Sequence, residues 1–342
     1  LENSELTYEK KHEFNVGIDL GFLKNRLNLA ADYYRRNNFD LIGVINTQGA
    51  GGTIAKYANI ASMKSSGIEL TISSKNMRTK DFSWNTDFIF SKTKNEITDL
   101  KSHANVLSLI SGNGFGREGY PVRGLFSIPF AGLTEDGLPT FINQDGQKTI
   151  SSFNFQEYEK LDFLKYEGPT DPTITGSFGN ILTYKNLKLN VFVTYSFGNV
   201  IRLDPVFSNA YSDLDAMPKE FKNRWMKAGD ENVTNIPTIV STRMNQQYAY
   251  LNMAYNAYNY SDVRIADGGF IRLKEISLSY DLPAKVINFF RLNKLQLKLQ
   301  ATNLCLLYAD SKLNGQDPEF FRSGGVSTPV PKQFTFTVRL GL

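Results

Sequence analysis

Nine runs of alternating apolar and polar residues are strung along this chain, and the connections between them sort into two kinds. Runs at 14–22 and 27–33 are joined by a tight Lys24-Asn25 turn, and those at 68–72 and 84–90 by a short polar one. Lys185-Asn186 joins 174–184 to 187–195, and a compact stretch, 283–293, joins 270–282 to 295–301. The connections in between, at 36–66, 93–172, 197–268 and 309–332, read as long aperiodic loops rich in Gly, Pro, Tyr or Asn. Period-two runs are strands with one apolar face. In an up-and-down antiparallel sheet, alternating short and long connections gather every turn at one end and every loop at the other. Outer-membrane barrels are built this way, whereas sandwiches with Greek-key crossings do not sort their loops by end.

The ninth run, Gln333 to Leu342, puts Phe334, Phe336, Val338, Leu340 and Leu342 on one side and Gln333, Thr335, Thr337, Arg339 and Gly341 on the other. About 10 residues is the length a tilted strand needs to cross a bilayer. Taken alone, this run also suits a soluble sandwich. Phe22, Tyr33, Trp84, Tyr184, Tyr195, Phe197, Tyr280 and Tyr308 fall at or near run ends, where the aromatic girdles of a membrane barrel lie. An odd number of strands makes the first and last run in the same direction. Since bacterial single-chain barrels are even and antiparallel, further strands are expected before Leu1.

Composition narrows the function classes. Aromatic residues make up 13% and charged residues 21%, with a net charge of +4 and no basic block, which argues against nucleic acid. The lone Cys305 excludes an intramolecular disulfide framework. No apolar run of about 18 residues is present, so no transmembrane helix is encoded. His12 and His103 stand apart, without partners at metal-ligand spacing, and no nucleophile elbow, Walker loop or His-Glu-x-x-His occurs. Residues 114–119 match a dinucleotide fingerprint by letter, but Tyr120-Pro121 and a strand-like run follow instead of a helix. Asp213, Asp215, Asp230 and Glu231 suit solvated loop carboxylates better than a hydrolytic pair or a calcium site. The reading is of a protein that is not an enzyme and carries no cofactor or metal.

Several segments, in order, resemble the barrel of the SusC-like (RagA-like) TonB-dependent outer-membrane transporters. They begin with Leu6-Thr7-Tyr8-Glu9-Lys10, Phe14-Asn15-Val16-Gly17-Ile18-Asp19, Asn25-Arg26-Leu27 and Asp32-Tyr33-Tyr34. Asn59-Ile60, Gly67-Ile68-Glu69-Leu70, Phe82-Ser83-Trp84 and Asn95-Glu96-Ile97 follow. Glu118-Gly119-Tyr120-Pro121, Asn223-Arg224-Trp225, the run from Phe270 to Pro283, Asn303-Leu304 and Asp317-Pro318-Glu319 complete the series. Leu342 departs from it, because such barrels commonly end in an aromatic residue.

The resemblance implies that 1–342 is the C-terminal portion of a 22-stranded barrel, with the plug domain and early strands outside this chain. It also implies TonB-dependent uptake of glycan fragments or oligopeptides across the outer membrane of a Gram-negative bacterium. The partners implied are a SusD-like surface lipoprotein and, through the missing N-terminal part, the TonB complex. On that reading Tyr248, Tyr250, Tyr255, Tyr258 and Tyr260, interleaved with asparagines, are candidates for contact with substrate or partner lid, since flat apolar faces beside amides suit sugars and peptides. Two other readings remain open at this stage. A soluble or surface β-rich glycan-binding protein would bury the apolar strand faces against a second sheet, and a passive porin would need no plug.

Overall fold

The computed structural model describes residues 6–46, 55–112, 116–206, 219–248, 251–289, 292–321 and 329–341. Nine long strands form one antiparallel sheet in which each pairs with its neighbours in sequence. They are β1 (Lys10–Phe22), β2 (Leu27–Asn46), β3 (Ala55–Arg78), β4 (Phe82–Leu100) and β5 (Ile174–Tyr184), followed by β6 (Leu187–Phe197), β7 (Phe270–Asp281), β8 (Lys294–Ala309) and β9 (Gln333–Gly341). These are the nine expected runs, in an up-and-down meander whose turns and loops lie at opposite ends. β1 and β9 are its two edges, so the barrel wall is open within this chain.

The register aligns the apolar face across the whole sheet. Leu20, Leu29, Ile72, Phe88, Phe178, Val193 and Leu273 lie side by side from β1 to β7, and Leu189, Leu278, Leu299 and Phe336 from β6 to β9. Because the side-chain period is two, a slip of one residue anywhere would turn a strand's apolar set to the other face. Burial is inverted relative to a water-soluble sheet. Ser177, Ser277 and Ser279 are only 8%, 4% and 9% exposed, whereas Phe178, Leu278 and Tyr280 beside them are 43%, 40% and 42% exposed. No second layer covers the apolar face among the described residues, and the three small sheets belong to the loops. A soluble protein would carry that band at a large free-energy cost, while in lipid it is the favourable surface.

Two glycines admit aromatic rings across the ladder. A Cβ at Gly176 would lie 2.1 Å from the Ile89 carbonyl oxygen and 2.4 Å from the Tyr195 hydroxyl. Tyr195 reaches over that gap and donates to the Ile89 carbonyl at 2.9 Å. On the opposite face Tyr34 lies over Gly67, where a Cβ would come within 2.5 Å of the ring, and its hydroxyl meets Thr93 Oγ1 at 3.0 Å. Trp84, at the turn end, donates from Nε1 to Asn180 Oδ1 at 2.9 Å. Amphipathic rings of this kind suit a membrane interface, where one end is apolar and the other wet.

Two expectations are corrected. The stretch 36–66 is mostly strand: β2 continues to Asn46 and β3 starts at Ala55, and Gly49, Gly51 and Gly52 lie outside the described residues. Its alternation fades because both faces meet water once the pair leaves the membrane, although Leu41↔Ala61 and Val44↔Tyr57 remain paired. β4 likewise runs on to Leu100. Among the described residues the α-helices are α1 (Val106–Ser111), α2 (Thr242–Gln247), α3 (Leu251–Asn259) and α4 (Ala284–Phe289), the last within the compact 283–293 connection.

Candidate functional site

At the loop end, the insertions between β4 and β5 and between β6 and β7 fold into one body with an ordinary hydrophobic interior. Leu109, Ile110, Phe126 and Phe141 from the first pack with Leu251, Ala254, Tyr255 and Tyr258 from the second. The second group has i, i+3, i+4, i+7 spacing, which places it on one face of α3. That face is what turns a tyrosine-rich stretch into a core element. Helix α1 starts at Asn105, whose Oδ1 accepts from the Ser108 backbone N–H at 2.9 Å.

Buried arginines hold the loops together and fasten one of them to the wall. Arg202 donates from Nη2 to the Phe126 carbonyl at 2.6 Å and from Nη1 to the Ser261 carbonyl at 3.3 Å, joining the two insertions. Arg264 pairs with Glu220 at 2.6 Å and donates to the Asp204 carbonyl at 2.6 Å. Arg272, on the polar face of β7, donates from Nη2 to both Asp317 carboxylate oxygens, at 2.5 and 2.7 Å, and the same nitrogen lies 3.1 Å from Glu319 Oε2. The insertion between β8 and β9, which carries Asp317, is thus fastened to the wall by a nearly dry ion pair.

The five candidate tyrosines separate. Tyr255 and Tyr258 are each 1% exposed and pack inside the loop body, which corrects the expectation of a contact surface for these two. The Tyr255 hydroxyl donates to the Thr238 carbonyl at 2.7 Å. Tyr258 meets Phe130 edge-on at 5.8 Å, and burial pushes its hydroxyl pKa up to about 12. Tyr260 is partly buried beneath the Arg202 guanidinium, at 5.4 Å. Tyr248 is partly exposed and donates to Asp136 Oδ2 at 3.1 Å, and that hydrogen bond raises its pKa. Tyr250 lies outside the described residues.

The suspected catalytic letters also resolve into structure. Asp230 Oδ2 accepts from the backbone N–H groups of Met226 and Lys227, and Glu231 Oε2 from Gly229 N–H and Trp225 Nε1, so both carboxylates fasten a turn. Asp213, Asp215, Gly114 and Leu342 lie outside the described residues. Downstream of the glycine-rich letters comes a strand, Gly124–Ser127. Among the described residues no group of three or more His, Cys, Asp or Glu could hold a metal.

A feature that sequence reasoning missed is a cavity of about 820 Å³ between the polar face of β5–β7 and the loops above it. Thr175, Thr194, Ser196 and Lys274 form its wall, Arg123 and Thr170 lie in its roof, and Phe321 closes its side. Lys274 sits where β7 bulges against β6, between Leu273 and Glu275, so an extra residue enters the polar face. The sequence signal is the consecutive Lys274-Glu275 pair, two charges in a run that otherwise alternates.

No family model matches the chain. Among curated proteins it is 26% identical over 340 residues to TonB-dependent receptor P3 of Formosa agariphila, covering 93% of this chain and 31% of that protein. It is 26% identical over 360 residues to TonB-dependent receptor SusC of Bacteroides thetaiotaomicron, covering 99% of this chain and 32% of that protein. The chain therefore spans about a third of the length of these relatives. The solved RagAB peptide transporter superposes with a TM-score of 0.75 at 24% identity, over 99% of this chain and 36% of that one. The relatives are receptors and transporters, and their barrels belong to the outer membrane of Gram-negative bacteria. Inverted burial, end-sorted loops and matches along nearly the whole sequence agree: the chain has the fold of an outer-membrane β-barrel wall and is similar over nearly its whole length to a part of the SusC-like (RagA-like) TonB-dependent receptors.

Proposed function

We propose that the protein containing this chain imports oligopeptides or glycan fragments across the outer membrane, driven through TonB, with a SusD-like lipoprotein closing over the loop end. On this reading 1–342 is the C-terminal portion of the barrel, and the plug and early strands are carried elsewhere in the protein. The observation that supports it best is the polar cavity beneath the loop body, open to the lumen side of an otherwise lipid-facing wall. Large polar cargo needs hydroxyls, amides and a few charges along its route, and the inner faces of β5, β6 and β7 offer them. Tyr248 and Tyr260, at the edge of the loop body, remain candidates for touching cargo or lid.

Growth tests this directly. A strain lacking the full-length protein should lose growth on an oligopeptide or oligosaccharide pool as sole nutrient, a strain lacking TonB should lose it equally, and the tagged protein should copurify with a SusD-like lipoprotein. Unchanged growth in both strains on every pool would remove the import reading.

A further inference from the structure

The cavity's charges do not cancel. Arg123 is paired with Asp171 at 2.7 Å, and Glu319 with Arg272 at 3.1 Å. Arg202 spends its guanidinium on the carbonyls of Phe126 and Ser261. Lys274 is left: among the described residues its ammonium has neither hydrogen bond nor ion pair, and the β7 bulge delivers it to the cavity wall. A partly enclosed, unpaired ammonium in a cavity walled by the hydroxyl-bearing Thr175, Thr194 and Ser196 is complementary to an anionic group carried on a polar chain.

We infer that this cavity binds a carboxylate of the cargo, with Lys274 as its counter-ion. The inference rests on the import reading and narrows it: the preferred substrates carry a carboxylate, as a free peptide C-terminus or a uronic-acid sugar does. The roof is made by the loop insertions, at Arg123, Thr170 and Asp171, and the side wall by Phe321, so the pocket lies at the mouth end. Cargo arriving from outside would reach it early.

Binding of matched probes to the purified full-length protein in detergent tests this. One pair is a hexapeptide with a free C-terminal acid, no other acids, and its C-terminal amide; the other is a hexagalacturonate and its methyl ester. The wild type should prefer the acid of at least one pair by roughly tenfold, and the pair that discriminates identifies the source of the carboxylate. Lys274→Met and Lys274→Gln should abolish the preference while still binding the neutral probe, and Lys274→Arg should keep it. Equal binding of acid and neutral forms by the wild type, or a preference that survives in both neutral variants, overturns the carboxylate site but leaves import standing. No binding of any of the four probes overturns both.

Discussion

The wall and the loop body are built by opposite rules from one sequence. In the wall, backbone ladders hold the strands while the large apolar groups face outward and serines face in; in the loop body, Phe126, Phe141, Tyr255 and Tyr258 are interior, and the buried Arg202 and Arg264 are hydrogen-bonded. The difference is one of solvent. Lipid accepts Phe178 and Leu278 as a surface and water does not, so the wall needs no interior of its own, whereas the insertions must make one. Arg272 stands where the two regimes meet. There a polar inner face has to be fastened to loops with no ladder available.

That contrast can be broken first at its fastening. Removing Arg272 leaves Asp317 as a nearly buried, unpaired carboxylate, and Arg272→Ala should cost about 3–5 kcal/mol locally. Limited proteolysis should then cut between β8 and β9 while the barrel still migrates as a folded, heat-modifiable band. Inside the loop body, Tyr258→Ala should cost about 3–5 kcal/mol, because it empties a packed aromatic site. It too should leave the barrel intact, and hydrogen exchange over 101–173 and 198–269 would register it. The same tyrosine sets an alkaline limit. Its folded pKa, raised to about 12, exceeds its ordinary value of 10.0, so the folded state holds the proton more tightly. Its contribution is fully present below pH 10 and lost as pH rises toward 12, which a proteolysis series across that window would follow.

A sharper contrast uses adjacent residues of β3. Leu70 faces lipid and Thr71 faces inward. Leu70→Arg should destabilise the barrel by about 2–4 kcal/mol in a bilayer refolding assay, and Thr71→Arg by much less. Similar costs for both would mean that the outward face is not in lipid. The smallest effect is expected at Glu167, whose buried Oε1 has no hydrogen-bond partner and whose carboxyl pKa is raised by burial. Its folded pKa lies above the unfolded one, so stability is lost as pH climbs from the ordinary carboxylate value through the raised one. Glu167→Gln should therefore leave the loop body unchanged or slightly more stable at pH 7, read as its proteolytic half-life.

What the sequence disclosed follows the same division. Every wall strand was legible because lipid on one face and water on the other impose a period of two. Beyond the membrane, Arg35 to Asn46 kept its hydrogen bonds but lost that signal, and the β2–β3 extension looked like loop. Leu251, Ala254, Tyr255 and Tyr258 carried a helical period within a stretch whose composition spoke of turns, so their packing role was hidden by their neighbours. Lys274 was harder still. A bulge changes which face a residue joins without altering which residues are present, and only pairing with β6 exposes it.

The interleaving of two insertions in a single interior has a mechanical consequence. Since Ile110 and Phe126 come from one and Tyr255 and Tyr258 from the other, neither can peel away from the rim alone without tearing open the packing they share. Displacement of either insertion is therefore coupled to the other through that common interior.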